Sequence, residues 1–560
     1  MSASAGAPRH PAATAFRPVP LRARIYGLGS VYGKSIRDSR LAFIIAAGLL
    51  GGLSLAMGAA IPSVFPTPVS RIEIDKLIGG MPAEMVDFFG KPVGLGTFGG
   101  YLTWKYGLVF VLTTSLWSIL ALSGTLAGEA GRGSLDIVAT APFGKRRIAL
   151  EKLAAHLTGL FLALAFMTVM IMVSSNTYGN AALGDPLSVE EAVGFALWLG
   201  FIALFFGGLA FALGPFLGRG GSAGMAGIAL ALAWSVNGLH LDPLTVLSPF
   251  GWMANHVPLA GEFDWPGLAL VGVAGVVLLA LGVEGFARRD LGITAGLGLP
   301  TLPGQILGVR GPVSRAFGDQ LPRALAWGIG LGVFGAMLSS LVGGMSGQLA
   351  GDTNLLKVLQ TAFPGLDLTT AGGFLQLFIE LFYIVAGFAA ATFVSKWASD
   401  ETGDRLEEVL ATPLPRWRWA VSGGVAALAA DVLMTLLFAL SIGLGAGSGG
   451  VSAGEAMIGS ASLGLYAAAL IGIGIAIGGL WRTSLAAELV ALFVVVTYLV
   501  GLLAPPLGLP DWVHQLALTA HFGQPMAGQW DSVGVVDCAV IAVGGIALGA
   551  WGMTRRDVAR

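Results

Sequence analysis

The stretch at residues 267–287 reads GLALVGVAGVVLLALGVEGFA and contains one charged residue, Glu284. A helix rises about 1.5 Å per residue, so a run of this length spans the roughly 30 Å hydrocarbon core of a bilayer. Because backbone groups cannot stay unpaired in lipid, such a run must be helical. The stretch therefore predicts a transmembrane helix.

Similar apolar runs recur along the whole chain and predict an all-α polytopic membrane protein. The composition agrees, because 55% of the 560 residues are hydrophobic and only 11% are charged, whereas soluble domains carry about 25% charged residues. The twelve predicted spans are 41–60, 105–127, 153–174, 192–217, 222–239, 267–287, 324–345, 374–395, 420–444, 457–480, 484–504 and 533–553.

Basic residues predict the orientation of these spans, because cytoplasmic loops carry an excess of Lys and Arg. The connections at 175–191, 240–266 and 505–531 contain neither residue. Alternate connections and both ends contain Arg22, Arg24, Lys34, Arg37, Arg40, Lys145, Arg146, Arg147, Arg288, Arg289, Arg416, Arg418, Arg555 and Arg556. We therefore expect both termini in the cytoplasm.

The second half of the chain repeats the first in order. TFGGYL at 97–102 precedes the second span and TAGGFL at 370–375 precedes the eighth, while ARRDL at 287–291 and TRRDV at 554–558 end the sixth and twelfth. Since each half holds an even number of spans, the halves are expected to be parallel repeats related by an axis along the membrane normal.

The repeat sets the expected domain boundaries. The Ala/Pro-rich residues 1–20 have no apolar centre, so we expect a disordered tail and not a signal peptide. The first six-helix half is expected at 21–291 and the second at 323–560, joined by a cytoplasmic linker and interfacial helix at 292–322. The single Cys538 excludes an internal disulfide framework and a cysteine metal cluster.

Two polar segments occupy equivalent places in the halves. The first cassette (129–147) contains EAGRGSLDIVATAP followed by GKRR, and the second cassette (400–418) contains DETGDRLEEVLATP followed by PRWR. Apolar residues recur at helical spacing with charged residues opposite, and a proline follows each run. Each cassette is therefore expected to form a short amphipathic helix on the cytoplasmic membrane surface, where it either docks a partner or merely caps a span.

These cassettes resemble the coupling loops of permease subunits of ABCG-like (type V) ABC exporters. A basic interfacial helix expected before the first span, around residues 21–38, and Ser248-Pro249-Phe250 before the sixth span also match that family. The second half instead reads Thr519-Ala520-His521-Phe522 at the place that corresponds to Ser248-Pro249-Phe250. The fused form resembles actinobacterial exporters of polyketide antibiotics and their multidrug relatives.

The resemblance implies a permease partnered by two copies of an ABC ATPase, identical or mixed. It assigns ATPase coupling to Glu129, Arg132, Leu135, Asp136, Val138, Pro142, Arg146 and Arg147 in the first cassette, and to Glu401, Arg405, Leu406, Glu407, Glu408, Val409, Pro413, Arg416 and Arg418 in the second.

The sequence itself contains no P-loop. The nearest string, GSVYGKS at 29–35, has Leu28 where GxxxxGK[ST] requires the first glycine. We therefore expect no enzyme activity, catalytic residue or cofactor in this chain, with ATP and Mg²⁺ bound by the partner ATPase. No metal-ligand spacing or nucleic-acid patch is present in the sequence.

Charged residues inside predicted spans are candidates for a substrate path or gate, because they are costly in lipid. Lys105 and Glu380 lie at similar depths in the second and eighth spans and are hypothesised to meet near the axis. Asp431 lies near the middle of the ninth span. Glu488, in the eleventh, is hypothesised to face a cytoplasm-open cavity and to favour cationic cargo. The alternative for these acids is a structural role.

The sequence as a whole indicates a permease of the bacterial plasma membrane that moves hydrophobic or amphipathic small molecules outward, driven by ATP. The main alternative is an ion-coupled twelve-span secondary transporter. A membrane enzyme would need clustered catalytic residues that the sequence does not show, and an ABC assembly that remodels lipid is left open.

Overall fold

The structure is a computed structural model that describes residues 30–64, 92–131, 144–181, 184–238, 242–288, 311–351, 356, 366–402, 405–448, 452–503 and 510–556. In this part of the chain, eleven helices are long and apolar enough to cross a membrane. They are α1 Val31–Val64, α2 Phe98–Ser123, α3 Lys145–Tyr178, α4 Val189–Gly238, α5 Trp265–Ala287, α6 Pro312–Gly351, α7 Ala371–Thr402, α8 Arg416–Ser448, α9 Ala461–Leu480, α10 Thr483–Leu503 and α11 Ser532–Arg555.

Short elements connect these helices. The short helices are Glu129–Gly131, Asp242–Thr245, Pro249–Trp252, Leu406–Leu410, Ala453–Gly459 and Asp511–His514; the 3₁₀ turns are Pro258–Ala260, Leu518–His521 and Pro525–Ala527. Strands β1 Gly523–Gln524 and β2 Gln529–Trp530 pair antiparallel, with Gly523 opposite Trp530.

Exposed apolar stripes show which helix faces meet lipid. On α8, Val432, Leu436, Leu440 and Leu444 are all exposed, although each is strongly apolar. Residues four apart lie on one face of a helix, so these side chains form a continuous greasy stripe. The predicted all-α membrane architecture is thus confirmed in its general form.

Helix α4 contains two predicted spans in one element. At 1.5 Å per residue its length would reach roughly 75 Å, far more than a bilayer. The helix breaks at Gly218, where φ is 67° and ψ is −176°. Only glycine adopts that conformation readily. Gly218 lies between the predicted spans 192–217 and 222–239, so the break separates them.

The two arms of α4 meet the same connection. The Phe250 ring stacks on Phe206 of the first arm, 6.0 Å between centroids, and meets Trp234 of the second arm at 5.0 Å. The Ser248 hydroxyl also donates to the Ala233 carbonyl at 2.8 Å. The chain therefore reverses direction at Gly218, and both arms reach the same end of the bundle.

The halves repeat their packing. Helix α1 packs on α3 as α6 packs on α8, and α4 packs on α5 as α9 packs on α11. Thr97 and Thr370 both use the side-chain oxygen to accept from the backbone N–H three residues later. This N-cap fixes the start of α2 and α7 in the same way.

Two glycines in the repeated sequences are required by close backbone approach. A β-carbon on Gly99 would lie 1.9 Å from the Leu259 carbonyl oxygen, and one on Gly372 would lie 2.6 Å from that of Met526. The turns that they contact, Pro258–Ala260 and Pro525–Ala527, are each followed by a left-handed glycine. These turns therefore occupy equivalent places. Their positions differ by 267 residues, so Phe522 corresponds to Asn255 and not to Phe250.

The bundle has two distinct ends. The loop end contains the connections 248–262 and 517–530, and the basic end contains the end of α2, the Gly218 break and the second cassette. Helix α1 is continuous from Val31, so residues 31–38 do not form a separate interfacial helix. Helix α6 begins at Pro312, so the last part of the predicted 292–322 segment is its first turns.

The halves meet where the second arm of α4 packs on α6. A β-carbon on Gly224 would lie 2.6 Å from the Ala326 β-carbon, so the backbones approach closely. Each half otherwise keeps its own apolar core, centred on α2, α3 and α4 in the first and on α7, α8 and α9 in the second.

Candidate functional site

The second cassette folds as its sequence pattern predicts. Leu406–Leu410 is helical, with Leu406 and Val409 buried and Glu407 and Glu408 exposed. The helix ends at Leu410, before Pro413, which is itself exposed. An amphipathic turn with a carboxylate face therefore lies at the basic end, and its coupling role stays a prediction.

The second cassette is fixed to the last helix by Glu401 and Arg556. The Arg556 guanidinium donates to Glu401 Oε2 at 2.5 Å, and the Thr483 hydroxyl donates to the same oxygen at 2.8 Å. Arg416 donates to the Arg556 carbonyl at 2.8 Å. The Glu401 side chain is only 7% exposed. Glu401 thus ties the cassette to the end of α11, and its coupling role stays a prediction, whereas Arg418 is exposed.

This role of Arg556 is not evident in the sequence, where its positive charge indicates only the orientation of the last span. The pair joins residues 155 positions apart, and no local pattern reveals such a contact. We name the Glu401–Arg556 pair the C-terminal staple.

The first cassette is described only at its margins. Arg132, Leu135, Asp136, Val138 and Pro142 lie outside the described residues.

At the start of the first cassette, Glu129 Oε1 accepts from Lys152 Nζ at 2.5 Å. In the second cassette, Asp400 accepts from the Trp419 ring N–H at 3.2 Å. Each cassette's first acid is therefore bonded to the helix that follows the cassette.

At the end of the first cassette, two arginines form ion pairs. Arg146 reaches Glu284 at 2.7 Å and Arg147 reaches Glu151 at 2.8 Å. Glu284 also pairs with Arg288 at 3.5 Å, as its spacing predicts. The Arg146–Glu284 pair ties the start of α3 to the end of α5.

The end of α2 departs from regular helix next to the Gly218 break. Gly124–Gly128 forms a π-helical turn, a distortion frequent at functional sites. A β-carbon on Gly128 would lie 3.2 Å from Arg219 Cδ, so the arginine stem lies over this turn. The turn that precedes the first cassette is therefore in contact with Arg219, the residue after the break in α4.

A central cavity of about 620 Å³ lies between the halves, which is within the usual range for drug-sized ligands. Its walls come from α2, the second arm of α4, α6 and α7. Toward the loop end the lining is apolar, with Leu112, Leu331 and the rings of Trp234, Phe334 and Phe382.

At its basic end the cavity is lined by Arg219, Arg323, Lys396 and Arg405. The cavity therefore combines an apolar chamber with a cationic mouth.

The intramembrane charges divide into separate environments. Lys105 Nζ lies 5.5 Å from the Tyr101 ring centroid and 5.3 Å from that of Tyr106, so the cation is held over aromatic faces. The Glu380 side chain lies outside the described residues, so the Lys105–Glu380 contact stays a prediction.

Asp431 is buried on α8, and its Oδ1 has no hydrogen-bond partner among the described residues. Its candidate roles, in a substrate path or in the structure, stay predictions.

Glu488 is exposed on α10 and does not line the central cavity. The hypothesis that Glu488 faces a cytoplasm-open cavity and favours cationic cargo stays a prediction. The chain reverses direction at Leu480-Trp481-Arg482 as it does at Leu217-Gly218-Arg219. Counted from the arginine of each reversal, Glu488 corresponds to Met225 of α4, which is also exposed. Glu488 and Met225 therefore both lie outside the lining of the central cavity.

Comparison with known proteins gives two matches. Residues 309–554 match the family model described as the C-terminal domain of the multidrug efflux system permease Rv1217c. The chain is 28% identical over 523 residues to the multidrug efflux system permease protein Rv1217c of Mycobacterium tuberculosis, covering 89% of each chain. This similarity and the eleven apolar helices identify a multi-pass permease of the bacterial plasma membrane, homologous to a multidrug efflux system permease.

Proposed function

We propose that this chain is the transmembrane subunit of an ATP-driven ABC exporter that moves hydrophobic or amphipathic small molecules outward. The single observation that carries the proposal is the second cassette: a short helix with a buried apolar side and two exposed carboxylates, anchored to α11 beside a drug-sized cavity. The homology to an efflux permease supports a transport role and a non-enzymatic membrane component.

In this mechanism two ABC ATPase subunits, identical or mixed, dock at the cassettes and bind ATP and Mg²⁺. Closure of the ATPase pair would push each cassette toward the membrane. The Glu129–Lys152 pair and the C-terminal staple would pass that movement to α3 and α11, because both acids are held by short ionic contacts. The halves would then rock and expose the central cavity to the outside.

The proposal includes twelve crossings arranged as two parallel six-span repeats with both termini in the cytoplasm. The reversal at Gly218 supports counting α4 as two crossings. The orientation is supported by the cationic side chains at the basic end, which would lie on the cytoplasmic side.

The second candidate function is an ion-coupled secondary transporter. Asp431 favours it, because acids inside a membrane often belong to proton relays and its buried Oδ1 has no hydrogen-bond partner among the described residues. Asp431 alone, without a series of further acids to form a relay, is weaker support than a matched pair of cassettes.

The test is transport in proteoliposomes. The full chain is purified from a native-like host together with any ABC ATPase that co-purifies, and efflux of Hoechst 33342 and 1-anilinonaphthalene-8-sulfonate is followed with ATP or with a proton gradient. We expect ATP-dependent efflux that needs the ATPase. Equal efflux by the chain alone, driven by the proton gradient and abolished by Asp431→Asn, would establish the secondary transporter instead.

A paired variant tests the cassette. Reversing both charges with Glu407→Arg and Glu408→Arg should lower ATPase co-purification on the order of tenfold, because a partner surface complementary to the two carboxylates would then face like charges. Glu455→Arg is the matched control, since Glu455 is also exposed but lies beyond α8 at the loop end. Equal losses in the two variants would remove the second cassette as a docking site.

A further inference from the structure

Helices α8 and α11 each present an exposed tryptophan at the basic end of the bundle. On α11, the exposed side chains of Val536, Val540 and Val543 form an apolar stripe, and exposed Trp551 continues it toward that end. Trp417 is exposed in the first turn of α8, which packs on α11. Tryptophan rings favour the boundary between hydrocarbon and headgroups. We therefore expect both rings at headgroup level, in the leaflet at the basic end.

The Arg555 side chain lies over the Trp551 ring. The central guanidinium carbon is 4.1 Å from the ring centroid, which is a cation–π contact. Stacking uses the flat face of the guanidinium and leaves the N–H groups at its edge available for hydrogen bonds. Among the described residues, Arg555 forms no ion pair. The guanidinium is therefore positioned by an aromatic ring and can offer its donors to an anion.

The corresponding arginine of the first half has a carboxylate instead of this ring. Arg288 and Arg555 each begin an Arg-Arg-Asp sequence at the end of the last span of their half. Four residues earlier, the first half has Glu284 and the second half has Trp551. Glu284 pairs with Arg146 at 2.7 Å and with Arg288 at 3.5 Å. The acid that neutralises this position in the first half is thus replaced by tryptophan in the second.

The start of α8 differs from the start of α3 in the same direction. In the equivalent segments GKRR (144–147) and PRWR (415–418), Arg418 corresponds to Arg147. Arg147 pairs at 2.8 Å with Glu151, four residues later on its own helix. Four residues after Arg418 the chain has buried Ser422, and exposed Arg418 forms no ion pair among the described residues. The second half therefore lacks both of these carboxylates.

The two arginines without acidic partners lie at adjoining helix ends. Arg416 donates to the Arg556 carbonyl at 2.8 Å, which brings the start of α8 beside the end of α11. Arg418 and Arg555 are close neighbours of these two residues in the chain. The carboxylate of the C-terminal staple, Glu401, is bonded to Arg556 and is not available to them. An anion at this junction would find guanidinium donors on both helices.

We propose that the junction of α8 and α11 at the basic end binds an anionic phospholipid. Arg555 and Arg418 would bind the phosphate group, since a guanidinium fork matches phosphate oxygens, while Trp417 and Trp551 would contact the adjoining glycerol and acyl chains. The equivalent surface of the first half is not such a site, because its arginines are paired with carboxylates. The inference is independent of the proposed export function.

The test measures lipid binding to the full purified chain in a neutral detergent by native mass spectrometry. Phosphatidylglycerol and phosphatidylcholine with the same acyl chains are titrated separately, and the dissociation constants of the first bound lipid are compared. We expect phosphatidylglycerol to bind at least about fivefold more tightly, because each basic residue near an anionic headgroup contributes roughly that factor. Equal affinity for the two lipids would overturn the proposal on the wild-type protein alone.

Variants assign the effect to the named arginines. Arg555→Gln and Arg418→Gln should each weaken binding of phosphatidylglycerol about fivefold and leave binding of phosphatidylcholine unchanged. Arg288→Gln is the matched control, because Arg288 has the same place in the first half but is paired with Glu284. Arg555→Lys keeps the charge and should keep most of the affinity, which separates charge recognition from misfolding. A loss with Arg288→Gln equal to that with Arg555→Gln would refute the assignment.

Exchanging the acid between the halves tests the cause directly. Trp551→Glu gives Arg555 a carboxylate one helical turn away, as Arg288 has, and should weaken phosphatidylglycerol binding about fivefold or more. Glu284→Trp removes that carboxylate from the first half and should add a second site for phosphatidylglycerol. Unchanged affinity in Trp551→Glu, or no added site in Glu284→Trp, would show that pairing of the arginine does not control lipid binding and would overturn the proposal. Because no ATPase is needed, this test and the export test can fail separately.

Discussion

The C-terminal staple is predicted to make a large contribution to stability for a single ion pair. The side chains of Arg556 and Glu401 are only 13% and 7% exposed, and the pair joins the end of α7 to the end of α11. Removing one partner of a buried pair leaves the other charge uncompensated, at a cost of roughly 3–5 kcal/mol. We take about 3 kcal/mol, because the pair lies at the membrane boundary where water can approach.

The assay is a double-mutant cycle with Glu401→Gln, Arg556→Gln and both together, followed by unfolding of the purified protein in a titration with SDS. Each single variant should lose about 3 kcal/mol, and the double variant should lose little more than either, because the isolated charge is then gone. The matched control is Arg146–Glu284, an ion pair of similar length whose side chains are 63% and 38% exposed. Its cycle should give at most about 1 kcal/mol.

Strictly additive losses in the staple cycle would refute the reasoning, since they would show that the two side chains do not interact. A coupling energy no larger than that of Arg146–Glu284 would do the same, because burial would then have no effect on the strength of the pair.

Three further predictions concern backbone geometry and pH. Gly218→Ala should lower the SDS-unfolding free energy by roughly 1–3 kcal/mol because its φ of 67° suits only glycine, whereas Gly227→Ala, with open space around it, should be neutral. Gly479→Leu should separate α9 from α11, measured as loss of a cysteine crosslink between them, because a β-carbon there would lie 2.2 Å from the Gly549 oxygen. Burial lowers the pKa of His256 below 6.5. The unfolded chain therefore binds more protons than the folded one below that pH, and stability should fall as the pH drops from about 7 to 5. His256→Asn should make the melting temperature depend less on pH over this range. An unchanged pH dependence in His256→Asn would exclude this histidine as the cause.

The physical reason for the His256 effect is visible in its hydrogen bond. Nδ1 accepts from the Asp264 backbone N–H at 3.0 Å, so protonation at that nitrogen would set two donors against each other. The side chain lies in the connection at the loop end, where it is buried against Phe263 and Trp265. Protonation therefore costs both a hydrogen bond and the burial of a charge.

Local sequence pattern was enough to predict the elements but not how they meet. The amphipathic turn at Leu406–Leu410 follows from apolar spacing within five residues, and the division of α4 near Gly218 follows from a glycine-rich interruption of an apolar run. Both features depend on neighbours in the chain. The matching N-caps at Thr97 and Thr370 could likewise be predicted from the repeated sequence motifs TFGGYL and TAGGFL.

The candidate site depended on contacts that no local pattern encodes. Arg219 and Arg323 lie more than a hundred residues apart and in different halves, so only the packing of α4 on α6 brings them together. Glu488 illustrates the same point: its helix follows from an apolar run, but the face that it occupies depends on how α10 packs. Asp431 could be predicted as buried because a span centre leaves a carboxylate no water.

The unequal reversals at Gly218-Arg219 and Trp481-Arg482 bear on why two halves share one polypeptide. A pair of identical subunits must present the same side chain twice, so any specialised contact is obliged to appear on both sides of the axis. Two halves joined in one chain need not keep that symmetry. One copy of a duplicated position can contact a ligand while the other copy lies at the surface and has a different role. In this chain the paired helix contacts are similar, whereas Arg219 lines the central cavity and exposed Arg482 does not.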